Sequence, residues 1–149
     1  MKNGLIISLL ILVMTIGCGK RETEVAPLLA NLVGTWKLIE PDSSYAITLQ
    51  FAYDTRNPPI DITPYLASGK SSVNEYSARM FATIDGTMQI NEVVSTEKAG
   101  PPAAMQFEQD YYAKLKTVAR FESPTETQLR LYHGGPKAGV LVYKKVLTP

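Results

Sequence analysis

Cys18 carries the only thiol of the chain, and its surroundings predict what happens to it. It follows an uncharged apolar run, Leu5–Ile16, with one cation, Lys2, ahead of the run and small Gly17 behind it. The run is shorter than the roughly 20 apolar residues that are needed to cross a bilayer. This layout predicts a secretory signal peptide over residues 1–17, whose cleavage leaves Cys18 as the first mature residue.

The segment that ends at Cys18 resembles the signal of bacterial lipoproteins, in which the cysteine is diacylated on sulfur and the preceding segment is removed. Ile16 and Gly17 fit that pattern, whereas Thr15 stands where a leucine is usual. The resemblance implies that Cys18 is a lipid-attachment site and that acyl chains such as palmitate hold the protein on a membrane. It also implies a location in the cell envelope on the extracytoplasmic side, at the outer membrane in a Gram-negative cell.

His133 is the only histidine, so any Ser–His–Asp arrangement or histidine-based zinc site would have to be built around it. It lies between Tyr132 and Gly134-Gly135, at the end of a predicted strand. That position predicts an exposed turn residue. A zinc site takes three or four ligands, so one histidine and one cysteine that is predicted to be acylated make a metal site improbable.

Paired carboxylates are the other candidates for chemistry, because glycoside hydrolysis uses two of them on either side of the sugar bond. Asp85 with Glu92, or Glu97 with Glu108, can be imagined as such a pair, but no spacing singles them out. A glycine-rich phosphate loop followed by a helix is also missing. We therefore predict that the protein is not an enzyme and uses no cofactor and no metal.

Length and charge indicate one mature domain without disulfides. Cleavage before Cys18 leaves 132 of the 149 residues, enough to bury a core without disulfide support. The mature chain has 14 basic and 14 acidic residues. A net charge near zero argues against the basic surface that nucleic-acid binding requires, and we expect no nucleic acid partner. Residues 18–30 begin polar and carry no periodicity, which predicts a lipidated tether ahead of a domain at 31–149.

Alternation of apolar and polar residues predicts antiparallel strands in the first half of the mature chain. Leu32–Ile39 contains the only tryptophan, Trp36, which we expect to plug one end of the core. Tyr45–Phe51 alternates most clearly. Asp54–Lys70 carries three prolines and predicts a loop. A hairpin follows, with strands at Ser72–Ile84 and Thr87–Val94 and with positive φ expected at both residues of the Asp85-Gly86 turn.

The second half predicts a helix and then three more strands. Ala103–Val118 places Phe107, Tyr111, Leu115 and Val118 on one helical stripe, and we expect this amphipathic helix to lie against the sheet. Three short alternating runs complete the sheet: Thr117–Glu122, Gln128–His133 and Gly139–Val146. The turns between them fall at Ser123-Pro124-Thr125 and Gly134-Gly135-Pro136.

The order of these parts resembles the META domain, a family that includes heat-shock-associated lipoproteins of the bacterial envelope. Four parts carry the resemblance, in order: Leu32–Leu38; Gly69–Tyr76, with Asn74 and an aromatic two residues later; Asp85-Gly86 with Met88–Ile90 and Ser95-Thr96; Glu108 with Tyr111, Leu115 and Leu129–Leu131. Many members have a cysteine where this chain has Val73, so no family disulfide carries over. The resemblance implies an α+β fold that is mostly antiparallel β: a small cracked, half-open β-barrel with one amphipathic helix packed on it.

Two functions from different classes fit these observations. The first is a lipid-anchored, non-catalytic envelope protein that acts as an interaction or stress-tolerance module and contacts an envelope protein or an acyl chain. The second follows from Gly34-Thr35-Trp36, which resembles the first strand of lipocalins and implies a carrier that holds a small apolar ligand in a closed barrel. The helix stripe must pack somewhere, and 132 residues leave little room for a large cavity. We therefore favour the first function.

Overall fold

A computed structural model describes residues 25–56 and 62–147. The predicted signal peptide, Cys18 and most of the predicted tether lie outside this part of the chain. The described residues form the following elements: α1 (Pro27–Ala30), β1 (Gly34–Glu40), β2 (Thr48–Tyr53), β3 (Thr63–Lys70), β4 (Glu75–Ala82), β5 (Met88–Ser95), α2 (Pro102–Lys116), β6 (Val118–Thr125), β7 (Gln128–His133) and β8 (Gly139–Lys145).

The eight strands form one antiparallel sheet in the order β5-β4-β3-β2-β1-β8-β7-β6. The long-range pairing is that of β1 with β8, which sets Leu38 opposite Tyr143. The outermost strands, β5 and β6, meet at one end, where the Phe121 amide donates to the Gly86 carbonyl at 2.8 Å. The sheet is therefore a barrel with a crack between β5 and β6. This confirms the predicted fold class: α+β, mostly antiparallel, a half-open barrel with one amphipathic helix.

The two helices lie at opposite ends of the barrel, which we call the α1 end and the α2 end. At the α1 end, the Tyr65 hydroxyl donates to the Leu29 carbonyl and the Trp36 indole N–H donates to the Leu32 carbonyl, each at 2.8 Å. Trp36 is fully buried, as predicted. The last residues of the predicted tether thus pack on the barrel. At the α2 end, the Gly134 amide donates to the Thr117 carbonyl at 3.0 Å.

Inward-pointing side chains from alternate strand positions fill the interior of the barrel. The largest fully buried side chains, to which α2 contributes Tyr111, are Trp36, Tyr65, Tyr111, Tyr143, Phe51 and Phe121. From α2, Ala104, Glu108, Tyr111 and Leu115 are buried. The predicted stripe is thus confirmed at Tyr111 and Leu115, whereas Phe107 is half-buried against the Tyr45 ring and Val118 already belongs to β6.

The prediction that Asp54–Lys70 is a loop is wrong over its second half, which forms β3. Pro64 is the second residue of this strand, close to the strand start where a proline is tolerated. From there the alternation is regular, with Tyr65 and Ala67 buried and Leu66 and Ser68 exposed. Proline composition therefore concealed a strand that lies in the middle of the sheet.

The turn predicted at Ser123-Pro124-Thr125 is also displaced, because β6 runs on through Pro124 to Thr125. β6 is the last strand of the sheet, so one of its edges has no strand beside it. A proline costs no ladder hydrogen bond on such an edge. The chain reverses instead between Thr125 and Gln128, which pair across β6 and β7.

The hairpin between β4 and β5 is confirmed, but its turn differs from the prediction. The Thr83 amide donates to the Thr87 carbonyl at 3.0 Å, so the loop contains three residues. Gly86 has a φ of 86°, and Asp85 is not in the positive-φ region. Three-residue hairpin loops need only one residue in that region. The Asp85 carboxylate serves the turn by accepting from the Thr87 hydroxyl at 3.2 Å.

Candidate functional site

A buried carboxylate, Glu108 of α2, gathers the polar groups at the α2 end of the barrel. The backbone amides of Asn74 and Val73 donate to Glu108 Oε2 at 2.8 and 3.2 Å, and the Ser71 hydroxyl donates to the same oxygen. The Asn74 side-chain amide donates to Oε1 at 2.6 Å. Ser71–Asn74 form the loop between β3 and β4. Glu108 therefore fastens this loop to the helix through four hydrogen bonds.

Asn74 extends the cluster to the segment that follows β5. Its Oδ1 accepts from the Thr96 hydroxyl and from the Lys98 amide, both at 2.7 Å. Its Nδ2 also lies 3.2 Å from the Lys98 carbonyl. Both oxygen lone pairs and both amide hydrogens of this side chain are thus in use. Asn74 joins three segments that are distant in sequence: the β3–β4 loop, the β5–α2 connection and α2.

The surroundings of Glu108 favour the ionised form of its carboxylate, in a structural role. Burial raises the pKa of Glu108, but the hydrogen bonds from Ser71, from the Asn74 side chain and from the backbone of Asn74 and Val73 outweigh burial and hold the pKa below its ordinary value. Ser71 and Glu108 are 2% and 4% exposed. Both groups are therefore closed to solvent and engaged with the protein itself.

Three tyrosine hydroxyls form a second buried network beside the first. Tyr76 donates to the Thr48 carbonyl at 2.9 Å, its oxygen lies 2.8 Å from the Tyr111 hydroxyl, and that hydroxyl lies 3.1 Å from Tyr143. Each hydroxyl has one hydrogen, and that of Tyr76 is used on the Thr48 carbonyl. Tyr111 must therefore donate to Tyr76, and Tyr143 must donate to Tyr111. Burial, followed by the neighbouring tyrosines, raises the pKa of all three hydroxyls well above the ordinary value.

The predicted exposure of His133 is wrong. His133 is the last residue of β7 and is 7% exposed, with Nδ1 3.2 Å from the Gly134 carbonyl. A Cβ at Gly139, opposite His133 in β8, would lie 3.1 Å from His133 Nε2, which shows how closely the ring packs there. The following glycines suggested a turn, but the strand alternation Leu129, Leu131, His133 points the ring inward.

The carboxylates considered for glycoside hydrolysis, Asp85 with Glu92 and Glu97 with Glu108, have other surroundings in the structure. Asp85 serves its turn, Glu97 is exposed, and buried Glu108 accepts hydrogen bonds from the β3–β4 loop on both oxygens. Glu92 is exposed and lies 3.8 Å from Arg79. Within residues 25–56 and 62–147, no three His, Cys, Asp or Glu side chains are grouped so that they could hold a metal ion. Cys18, the predicted lipid-attachment site, lies outside the described residues.

Sequence reasoning passed over Glu108, Ser71 and Asn74 as a set. A signal for Glu108 was present, because it occupies the helical stripe of Ala104, Tyr111 and Leu115. A charged residue on a buried stripe needs hydrogen-bond partners. Those partners lie 34 to 37 residues earlier in the chain, and only the pairing of β3 with β4 brings their loop to the helix.

The protein is thus a small, cracked antiparallel barrel in which a helix across one end is held by a buried carboxylate. The META domain model matches residues 30–145, and the chain belongs to that family. The NMR structure of a protein from Burkholderia xenovorans is similar, with a TM-score of 0.58 and 20% sequence identity over 87% of this chain and 98% of that one. At this identity the likeness shows the fold alone. No curated protein matches the chain.

A helix that spans a bilayer needs about 20 mainly apolar residues. In the described part of the chain, neither helix is long and apolar enough to cross a bilayer.

Proposed function

We propose that the protein is a lipid-anchored, non-catalytic module of the cell envelope that acts through contacts on its surface. Acylated Cys18 would hold it on the extracytoplasmic face of a membrane, at the outer membrane in a Gram-negative cell. Its partner would be another envelope protein, and the interaction would contribute to stress tolerance. The layout around Cys18 supports the anchor, and membership of the META family supports the class of domain.

The observation that carries the proposal is the filling of the barrel by its own side chains. Trp36, Tyr111 and Tyr143 occupy the interior and are at most 2% exposed. A depression between α2 and β1, lined by Leu38 and Phe107 among others, measures about 140 Å³. Ligand pockets usually measure about 300–1,000 Å³. The depressions of that size, about 460 to 560 Å³, lie on the outer face of the sheet and at its ends, open to solvent, and not in the interior. The interior therefore favours a scaffold that works from its surface over a carrier of a small apolar ligand.

The absence of catalysis in the proposal is supported by how the buried polar groups are used. Among the described residues, every buried side-chain nitrogen and oxygen has a hydrogen-bond partner. Active sites commonly keep perturbed groups open to a cleft. Here Glu108 and Ser71, the groups that most resemble catalytic ones, are closed off and fully engaged with the protein itself.

Metabolic labelling with a fatty-acid analogue tests the anchor. We expect label on the wild-type chain and none on Cys18→Ser, because the sulfur is the proposed attachment atom. Thr15→Leu, which places the residue usual in lipoprotein signals before the cysteine, is the matched control and should keep its label. Equal labelling of wild type and Cys18→Ser would overturn the proposal, as would a mature protein that keeps residues 1–17.

Extraction of bound molecules from the purified protein distinguishes an interaction module from a ligand carrier. The module predicts no stoichiometric lipid or small apolar molecule by mass spectrometry, together with a specific protein crosslinked on intact cells. A ligand recovered at one molecule per protein would favour the carrier instead and would contradict the filled interior as an argument about function.

A further inference from the structure

Exposed apolar side chains are concentrated at the α1 end of the barrel. Five of the large exposed apolar residues in the described chain lie there, on different elements around one rim: Tyr53 (37% exposed), Ile62 (48%), Ile84 (71%), Val146 (45%) and Leu147 (73%). Tyr53 ends β2, Ile62 precedes β3, Ile84 is in the β4–β5 turn, and Val146 and Leu147 follow β8. Turn tips and a strand terminus are positions where polar residues are usual, so this concentration calls for a partner.

The same end carries a depression with a mixed apolar and charged lining. Leu28 of α1, Ile84 of the hairpin turn and Phe121 and Pro124 of β6 line it beside the charged Asp85, Arg120, Glu122 and Arg130, and it measures about 460 Å³. A second depression, of about 560 Å³, adjoins it and shares Leu28 and Pro124. The rim residues and these depressions together form one surface, which we call the α1 face.

The position of the predicted anchor selects the partner of the α1 face. The described chain begins at Val25 beside α1, so seven Cα–Cα steps separate it from Cys18. Seven steps span at most about 25 Å. Strands of seven or eight residues make the barrel wall about 25 Å long as well, so a tether that ran to the α2 end would have no length left to reach a membrane. The α1 face is the end that an anchor at Cys18 draws to the membrane.

We infer that the α1 face rests on the surface of the phospholipid bilayer, with Ile84 and Leu147 inserted at the boundary between headgroups and acyl chains. This inference rests on the proposed acylation of Cys18. The acyl chains on Cys18 hold the protein at the membrane, and an apolar surface that reaches the interface adds to that attachment. The α1 face supplies this additional contact and sets the orientation of the barrel, leaving the α2 end directed away from the membrane.

Charge at this end is balanced, which indicates a neutral lipid surface. Arg120 pairs with Glu122 at 2.7 Å and Arg56 with Asp54 at 3.2 Å. Lys145 is engaged within the protein, since its Nζ donates to the Asn31 carbonyl at 2.8 Å. Arg130 and Lys144 also lie at this end and are matched in number by Asp85 and Glu126. A polybasic surface would prefer anionic lipid, whereas a surface with nearly balanced charge confers little such preference. Contact should therefore form equally well on phosphatidylcholine vesicles with and without phosphatidylglycerol.

Site-directed fluorescence on the full-length, lipidated protein tests the inference. Because acylation consumes Cys18, Ile84→Cys and Leu147→Cys each introduce one reactive thiol for a nitrobenzoxadiazole label. Val94→Cys, 64% exposed on β5 toward the α2 end, is the matched control. On phosphatidylcholine vesicles that carry nitroxide lipids, we expect quenching at positions 84 and 147 to exceed that at position 94 by about threefold or more, because interfacial groups sit within the quenching depth.

Each outcome separates this inference from the proposed function. If the protein binds vesicles but its labels at positions 84, 94 and 147 are all quenched equally weakly, the α1 face does not contact the membrane. The proposed anchor at Cys18 would be unaffected by that result. The labels at positions 84 and 147 could instead become shielded from solvent in detergent, without vesicles, and more so at higher protein concentration. That result would show that the α1 face binds a second copy of the chain. Protein that fails to float with vesicles and lacks an acylated N-terminal peptide would instead overturn the proposed function.

Discussion

At the scale of single residues, Glu108 shows what the sequence could reveal about the candidate site and what it could not. Its place on the buried stripe of α2 can be recognised from spacing, since Ala104 lies four residues before it and Tyr111 three residues after it. Its partners cannot be recognised in the same way. Asn74 belongs to the motif that carries the family resemblance, but neither its spacing nor that of Ser71 reveals that strand pairing brings their loop to the helix.

Glu108→Gln should destabilise the protein by about 1–3 kcal/mol, the usual cost of leaving buried hydrogen-bonding groups unpaired. The amide of glutamine presents hydrogens to the Asn74 and Val73 donors, which need an acceptor. Urea unfolding at neutral pH measures the change. The matched control is Asp110→Asn on the exposed side of the same helix, which should stay within about 0.5 kcal/mol of wild type. A Glu108→Gln variant as stable as wild type would mean that the cluster does not hold the loop.

The same substitution should flatten the acid dependence of stability. The pKa of Glu108 is lowered in the folded state, so its contribution is fully present above the unfolded value, about 4.3, and is lost as pH falls through the folded value. Exposed carboxylates such as Asp85 and Glu122 also have lowered pKa values and remain in both proteins. The difference between wild type and Glu108→Gln, measured by urea unfolding as pH falls below about 4.3, therefore isolates Glu108 and should shrink. A difference that is independent of pH would contradict an ionised carboxylate.

At the scale of elements, β3 is the main miss of the sequence reading, and Gly69 explains its importance. The three prolines in Asp54–Lys70 predicted a loop, although the alternation of Tyr65 and Ala67 favoured a strand. The strand ends at a close approach that no local pattern reveals: a Cβ at Gly69 would lie 2.0 Å from the Thr48 carbonyl oxygen of β2. The same oxygen accepts from the Tyr76 hydroxyl. Gly69 and Tyr76, both parts of the family motif, thus act on the same backbone carbonyl: Gly69 leaves room for it and Tyr76 donates a hydrogen bond to it.

Gly69→Ala should cost several kcal/mol, because the clash is with backbone and cannot be relieved by a side chain moving aside. The β2–β3 pairing would separate near its end and take the Tyr76–Thr48 hydrogen bond with it. Thermal unfolding and amide exchange of β2 measure the effect. Gly134→Ala is the matched control, since its Cβ would meet only the Thr117 carbonyl oxygen at 4.0 Å. Equal stability of the two variants would show that β2 and β3 separate at no cost.

At the scale of the whole molecule, periodicity predicted the long helix and seven of the eight described strands, whereas the closure of these strands into a barrel was expected only from the family resemblance. Periodicity defines each strand by itself, and Gln128–His133 coincides with β7. It says nothing about β1 pairing with β8, which joins the first and last strands of the chain. That closure brings Tyr143 to Tyr111 and Tyr76, so the hydroxyl network is a product of topology. It connects β2, β4, α2 and β8 across the interior.

Tyr111→Phe tests this network, because it removes the acceptor of Tyr143 and the donor to Tyr76 at once. We expect a loss of about 1–3 kcal/mol at neutral pH. Wild type should also lose stability in alkali. The raised pKa values of the three tyrosines mean that their contribution is present below the unfolded value, about 10, and is lost as pH rises beyond it. Tyr111→Phe has one such hydroxyl fewer, so its stability should fall less steeply than that of wild type as pH rises.

Urea unfolding at about pH 8 and about pH 11 compares the two proteins on either side of the ordinary tyrosine pKa. Tyr45→Phe is the matched control, because Tyr45 packs on Phe107 with ring centroids 4.7 Å apart and takes no part in the hydroxyl network. It should keep the wild-type difference in stability between the two pH values. If Tyr111→Phe also keeps that difference, its hydroxyl ionises as readily in the folded protein as in the unfolded chain, and the interior is open to water at this point.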